Sequence, residues 1–177
     1  MQHLSAEELL ALYASGKRDF SQINLIQANL FEANLADVNL NQSDLQEVYL
    51  PYANLSQANL CQAKMLAAEL SDAKLNSADL SEANLQDANL SRASLRYANL
   101  QGADLSGANL QGADLYNADL SFADLRYADL TGANLEEAKL DWAQLGGANF
   151  YRAKKVDFSK AKSDRTTIFP DGYRQDL

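Results

Sequence analysis

From Phe20 to Phe150 every fifth residue of the chain is large and apolar, without a missed step. Leucine fills this place everywhere except at Phe20, Met65 and Phe150. Two residues earlier stands a small residue, nearly always alanine, as at Ala28, Ala33, Ala53, Ala58 and Ala153. The residue between the two is usually Asn or Asp. We number the unit −2 (Ala), −1 (Asn or Asp), 0 (Leu), +1 and +2.

A period of five fits neither common regular structure. On an α-helix five residues turn through about 500°, so successive leucines would surround the axis, and a long helix apolar all round has no soluble form. On a flat strand five is odd, and successive leucines would point to opposite faces. The pattern works if the chain turns a corner once per unit. Positions −2 and 0 then share one face of a short extended segment, and each corner swings the next pair inward. The result is an all-β solenoid with leucine and alanine inside. Burying one such leucine contributes about 1.5–3 kcal/mol.

Motifs such as Ala28-Asn29-Leu30, Ala103-Asp104-Leu105 and Ala123-Asp124-Leu125 make the chain resemble the pentapeptide-repeat proteins over about residues 18–165. The resemblance implies a right-handed quadrilateral β-helix in which four units make one coil of about 20 residues. The array then forms almost seven coils, a shaft of about 33 Å at the spacing of stacked strands.

The segment 1–17 reads as an N-terminal capping α-helix. Ser5 and Glu8 have the spacing of a capping box, Leu4 and Leu9 that of a hydrophobic staple, and Gly16 is a natural stop. Its apolar face is expected to cover the open first coil. The first two coils are the least regular: Val38, Ser43 and Val48 replace alanine, and Tyr49 and Pro51 interrupt the polar columns. Pro51 is expected at a corner or beside a gap in the ladder. Gly102, Gly107, Gly112, Gly132 and Gly147 all fall at +2, which suits a type II turn and predicts tighter, more uniform corners in the second half. After Phe150 the register breaks, with Lys155 at the next core place and Val156-Asp157-Phe158 restarting three residues late. Residues 166–177 are expected to fold over the last coil as a C-terminal cap, through Ile168, Phe169 and a Pro-Asp-Gly turn.

The formal net charge of −9 is uneven. The shaft is acidic, whereas Arg152, Lys154, Lys155, Lys160, Lys162 and Arg165 make the C-terminal end basic. An acidic body argues against direct nucleic-acid binding. No apolar run is long enough to cross a membrane, and the start lacks the pattern of a signal peptide, so a cytoplasmic protein is expected. One cysteine, Cys61, and one histidine, His3, leave no disulfide, no histidine triad and no Cys/His metal cluster.

Catalysis needs unlike groups converging in a shielded pocket. A solenoid filled with leucine, its polar residues on flat outer walls, offers none, so no enzyme, cofactor or metal site is expected. The candidates are on the outside. Phe122 and Trp142, both at +2 and one coil apart, should stack on one face, with Tyr127 at the next corner. They form either an interaction patch or a set of contacts with the cap and with ladder neighbours. Asp104 and Asp124 stack in one column beside them. Tyr97 and Tyr116 form a second group near Arg96. The expected function is a rigid, non-enzymatic scaffold that binds a protein partner. The alternative, implied by the resemblance to the fluoroquinolone-resistance members, is a DNA mimic that binds a type II topoisomerase through the acidic shaft. Duplex DNA carries about one charge per 1.7 Å, roughly 19 over this length; residues 19–141 hold 18 acidic and 6 basic side chains. Two capped ends favour a monomer, and an open last coil would favour a C-terminal dimer.

Overall fold

The structure is a computed structural model describing residues 1–174; residues 175–177, the end of the C-terminal segment, lie outside the described residues. Its organising feature is a set of parallel bridges between residues 20 apart, from Asp19 with Asn39 to Asn134 with Lys154. Four five-residue sides therefore make each coil. The sides carry position 0 at Leu40, Leu45, Leu50 and Leu55 and their equivalents one coil on; we call them A, B, C and D in that order.

The backbone satisfies its donors with one recurring scheme. The N–H of position 0 donates to the −1 carbonyl of the next coil, as Leu25 to Asp44 at 2.8 Å. The −1 N–H donates back to the −2 carbonyl of the coil before, as Asp44 to Ile23 at 2.9 Å. The +2 N–H donates forward to a +1 carbonyl, as Gln27 to Gln46. The −2 N–H closes the corner onto the preceding leucine carbonyl, as Ala28 to Leu25 at 3.0 Å. That leaves the +1 N–H. A −1 Asn or Asp side chain accepts it at most corners, as Asn29 Oδ1 from the Phe31 N–H at 3.1 Å and Asp104 Oδ1 from the Ser106 N–H at 3.0 Å. This Asx turn is the physical reason for Asn and Asp at −1.

Every +2 residue from Gln22 to Arg152 has positive φ, 52–63° where it is not glycine and 66–73° where it is. Positive φ at the third residue of a turn alone is the type II pattern. The expected difference between the two halves is therefore absent. Gln22, Glu32 and Tyr52 hold the same corner as Gly102, because ladder bonds on both sides of the turn impose it.

Positions 0 and −2 fill the interior, and every one from Ala53 to Leu135 is at most 1% exposed. Val38, Ser43 and Val48 are buried as completely as the alanines they replace. Ser43 supplies a hydroxyl inside the core: it accepts the Ile23 N–H and donates to the Phe20 carbonyl, bridging the first corner. Pro51 lies at a corner, where it accepts the Glu32 N–H.

At the N-terminal end, α1 (Ala6–Ala14) carries the Ser5/Glu8 capping box, with the Ser5 N–H on Glu8 Oε2 at 2.8 Å. Leu4 and Leu9 are buried in the core, and the Tyr13 hydroxyl donates to the Ala36 carbonyl. Ahead of it, β1 (Gln2–His3) pairs in parallel with β2 (Ile23–Asn24), laying the chain's own start under side B. At the other end Gln144 pairs with Lys162 and Asn149 with Ile168, spacings shorter than 20 that show where residues fall out of the array. Phe158 stands edge-on to both Phe150 and Phe169, each at 5.0 Å. Ile168 then pairs antiparallel with Arg174 through a turn at Pro170 and Asp171.

Candidate interaction surface

The four-sided register places all five sequence-derived candidates around one wall. Asp104 and Asp124 are bridged neighbours at −1 of side B. Phe122 and Trp142 occupy the corner that enters side B, and Tyr127 the corner that leaves it. All three rings reach solvent, at 65%, 54% and 77% exposure.

Within that wall the contacts differ from a simple stack. Among the described residues the Phe122 and Trp142 rings form no aromatic pair. The Trp142 ring instead lies 5.6 Å from Lys162 Nζ, a cation–π contact with the last coil. The corner column below them is polar. Gln22, Gln42, Gln62 and Glu82 form a hydrogen-bonded ladder by donation from each carboxamide to the next residue up, Gly102 interrupts it, and the rings follow. Side chains at +2 lean toward the next coil, so Tyr127 lies over Gly147. A Cβ there would come within 2.6 Å of the ring. Gly107, one coil below Tyr127, is overhung by Asp87 and opens a shallow depression of about 330 Å³ lined by Gln86, Asp87, Ser106, Gly107, Arg126 and Tyr127.

The carboxylates are not equivalent. Arg126 grips Asp124 with two nitrogens, Nε at 2.9 Å and Nη2 at 2.5 Å, and holds its carboxyl below the usual range against the opposing effect of burial. Among the described residues Asp104 forms no ion pair; it accepts from the Ser106 N–H and hydroxyl and acts on Arg126 only through its charge. The wall therefore presents one carboxylate closed onto an arginine and one that is not, between aromatic corners.

The corner between sides D and A carries the Arg96 group. Tyr97 and Tyr116 meet edge to face at 5.6 Å. Arg96 lies 4.5 Å from the Tyr116 centroid while bonding Asp114 at 2.8 Å. A third group escaped the sequence reading: Phe31 stacks on Tyr49 at 6.2 Å and meets Tyr52 edge-on at 5.9 Å, on the corner between sides C and D. Phe31 and Tyr49 are 18 residues apart and both stand at positions reserved for polar residues, the only sequence signal available. Cys61 is half-buried, and its N–H is held by Asn59. No group of three His, Cys, Asp or Glu able to hold a metal ion occurs among the described residues, and no described helix is long and apolar enough to cross a membrane.

The family model for pentapeptide repeats matches the chain with eight copies, over residues 18–46, 39–76, 73–112 and 113–150. The chain belongs to the pentapeptide-repeat family. Among solved pentapeptide-repeat structures, it is 31% identical to HetL of the cyanobacterium Nostoc sp. strain PCC 7120, a protein involved in heterocyst differentiation regulation; the match covers 98% of this chain and 100% of HetL, with a TM-score of 0.45. It is 30% identical to alr5209 from Nostoc PCC 7120, over 92% of this chain and 98% of that one, with a TM-score of 0.39. QnrB1, a plasmid-mediated fluoroquinolone resistance protein, is 17% identical over 82% of this chain and 81% of its own, with a TM-score of 0.49. No curated protein matches the chain.

Proposed function

We propose that this pentapeptide-repeat protein is a rigid, non-enzymatic scaffold that binds a protein partner through the side B wall. The observation that carries the reading is the placement of exposed Phe122, Trp142 and Tyr127 on the two corners bounding Asp104 and Asp124. Aromatic side chains on a preorganised surface lose little conformational entropy on binding and are enriched in interface hot spots. The carboxylates between them add polar selection at the rim. The same reading takes the coil as right-handed, α1 and the C-terminal aromatic group as end caps, the chain as a monomer and the cytoplasm as its compartment.

The DNA-mimic alternative draws less support from the side chains. Four of the shaft's cations, Arg92, Arg96, Lys139 and Arg126, are closed onto Asp72, Asp114, Asp119 and Asp124. The carboxylates therefore form no unbroken line of charge of the kind a duplex presents.

The test is cross-linking capture from native cells with the wild-type chain, a Phe122→Ala/Tyr127→Ala/Trp142→Ala variant and a Tyr97→Ala control. Side B binding predicts a partner lost in the triple variant and kept in the control. A partner retained by the triple variant removes side B from consideration. Loss of binding with Tyr97→Ala alone moves the site to the corner between sides D and A.

A further inference from the structure

The stacking scheme leaves open edges at the N-terminal end. A −1 residue uses both its N–H and its carbonyl toward the coil before it, so the −1 residues of the first coil have no coil to pair with. On side B the chain meets this need itself, because β1 runs under β2 and the Leu4 N–H donates to the Asn24 carbonyl at 3.3 Å. On side C the equivalent residue is Asn29. Its backbone N–H and carbonyl have no hydrogen-bond partner among the described residues, although its side chain caps the Phe31 N–H.

This edge forms the floor of an open groove of about 620 Å³ between the start of α1 and side C. Ile26 stands at one corner of the side and Phe31 at the other, 39% and 46% exposed, and Leu10 of α1 forms the facing wall. Among the described residues the lining holds one carboxylate, Glu7, one imidazole, His3, and neither lysine nor arginine. Glu32 follows Phe31 at the same corner. Unpaired edges are templates for another strand. Here the template combines two backbone groups, flanking apolar side chains and an acidic rim.

We infer that side C of the first coil binds an extended segment of a partner protein by β-augmentation, the segment pairing with Asn29 as β1 pairs with β2. Main-chain bonds supply the register and the groove selects alternate side chains. The occupant is an apolar strand with lysine or arginine beside it: its aliphatic side chains enter between Leu10, Ile26 and Phe31, and its cation faces Glu7. At the C-terminal end the Leu140 N–H likewise has no hydrogen-bond partner among the described residues, but that edge is a poorer receptor for it. Its groove, lined by Glu136, Glu137, Asp141, Lys155 and Lys160, already has two ion pairs closed across it, Glu136 with Lys155 and Asp141 with Lys160.

The test uses the full chain and a synthetic hexapeptide of alternating valine and leucine with lysine at both ends, followed by NMR amide exchange and shift mapping. Without peptide the Asn29 amide exchanges rapidly, whereas that of Asn89, bonded to the Ala68 carbonyl, is protected. Peptide should slow Asn29 exchange by about tenfold or more and move Ile26 and Phe31. A glutamate-ended peptide, or one N-methylated at its centre, should bind at least about tenfold more weakly, a difference of about 1.4 kcal/mol. Ile26→Lys should weaken binding with the fold intact, because the position is exposed. Asn29→Pro removes the edge donor where an edge strand tolerates proline and should do the same. Four results would each overturn the inference: protection of Asn29 before peptide is added, no change there at about millimolar peptide, equal binding of the glutamate-ended peptide, or shifts confined to Lys139–Leu140. The Phe122→Ala/Tyr127→Ala/Trp142→Ala variant should bind the peptide normally, which separates this site from the side B wall.

Discussion

Pro51 stands two residues after Tyr49, and together they remove both halves of the hydrogen bond that closes most other corners. Elsewhere a −1 carboxamide or carboxylate accepts the +1 N–H, as Asn54 does for Ser56 at 3.1 Å and Asp79 for Ser81 at 3.0 Å. Tyr49 has no oxygen that can reach back in this way, and Pro51 has no N–H to offer. The tyrosine is released to stack on Phe31. Pro51→Ala restores a donor at a buried corner without an acceptor and should cost about 1–2 kcal/mol. Tyr49→Asn should be destabilising alone, since the ring contact is lost, but should recover stability in the Pro51→Ala background. A double-mutant cycle by urea unfolding measures the coupling, expected at about 1 kcal/mol. Additive effects would show that the corner N–H has no need of the side chain.

The seat of Tyr127 over Gly147 can be separated from the backbone demand of the corner. Gly132 and Gly147 have nearly the same φ, +69° and +73°, but a Cβ at Gly132 meets nothing within 4 Å. Gly132→Ala should therefore report the left-handed backbone alone, about 1 kcal/mol. Gly147→Ala should cost more and push Tyr127 off its seat, visible as a changed tyrosine ring shift. Equal costs and an unmoved ring would show that Tyr127 does not rest there.

How much of this was legible in the sequence follows the distance over which each relationship acts. The inward positions were readable because Ala and Leu two apart must share a face, and the capping box because Ser5 and Glu8 lie within one helical turn. The contacts that make the surface were not. Gln42 with Gln62 and Arg92 with Asp72 span 20 residues, and Arg96 with Asp114 spans 18. A five-residue rhythm alone does not say how many sides close a coil. Phe31 and Tyr49 became neighbours only once that number was known. Glycine at +2 misled in the other direction: it marks where positive φ costs least, whereas the ladder imposes positive φ on Gln22, Tyr52 and Trp142 alike. The role of Asn and Asp at −1 was missed because the residue looks outward in the pattern while its oxygen turns back to the chain.

Acid should loosen the shaft in a definite window. The Asp72 carboxyl is held low first by its bonds to Arg92, and that of Asp124 by Arg126. At Asp129 burial pushes upward, but Thr131 and Gln111 together outweigh it and the net direction is down. A carboxyl that is more acidic in the folded chain stabilises the fold fully above its unfolded value, about 3.9. That stability is lost as pH falls through the lowered native values. Urea midpoints should thus be level from about pH 7 to 5 and drop steeply below about 4. Arg126→Gln, which releases Asp124 toward its ordinary value, should make the drop shallower. A midpoint unchanged down to pH 3, or an Arg126→Gln profile parallel to the wild type, would rule these pairs out as the cause.

The aromatic series Phe150, Phe158 and Phe169 decides how the shaft ends. Each neighbouring pair meets edge to face at 5.0 Å, a geometry that adds to the burial of the rings. Phe150 is fully buried although it stands at position 0 of the last regular unit, where the array gives it no leucine above. Phe158 arrives at that place from a segment that has left the register, so this ring contact comes from the break in the pattern rather than from its continuation. Phe158→Ala should cost about 2–4 kcal/mol. Phe158→Asp should also uncover Phe150 and a ring of unpaired strand edge, and an apolar end of this kind pairs most readily with a second copy of itself. Sedimentation velocity should then show the wild-type chain as a monomer and Phe158→Asp as a concentration-dependent dimer that Phe150→Asp, added to it, dissolves. A wild-type dimer unaffected by either change would place self-association elsewhere on the molecule and leave Phe158 with a role in stability alone.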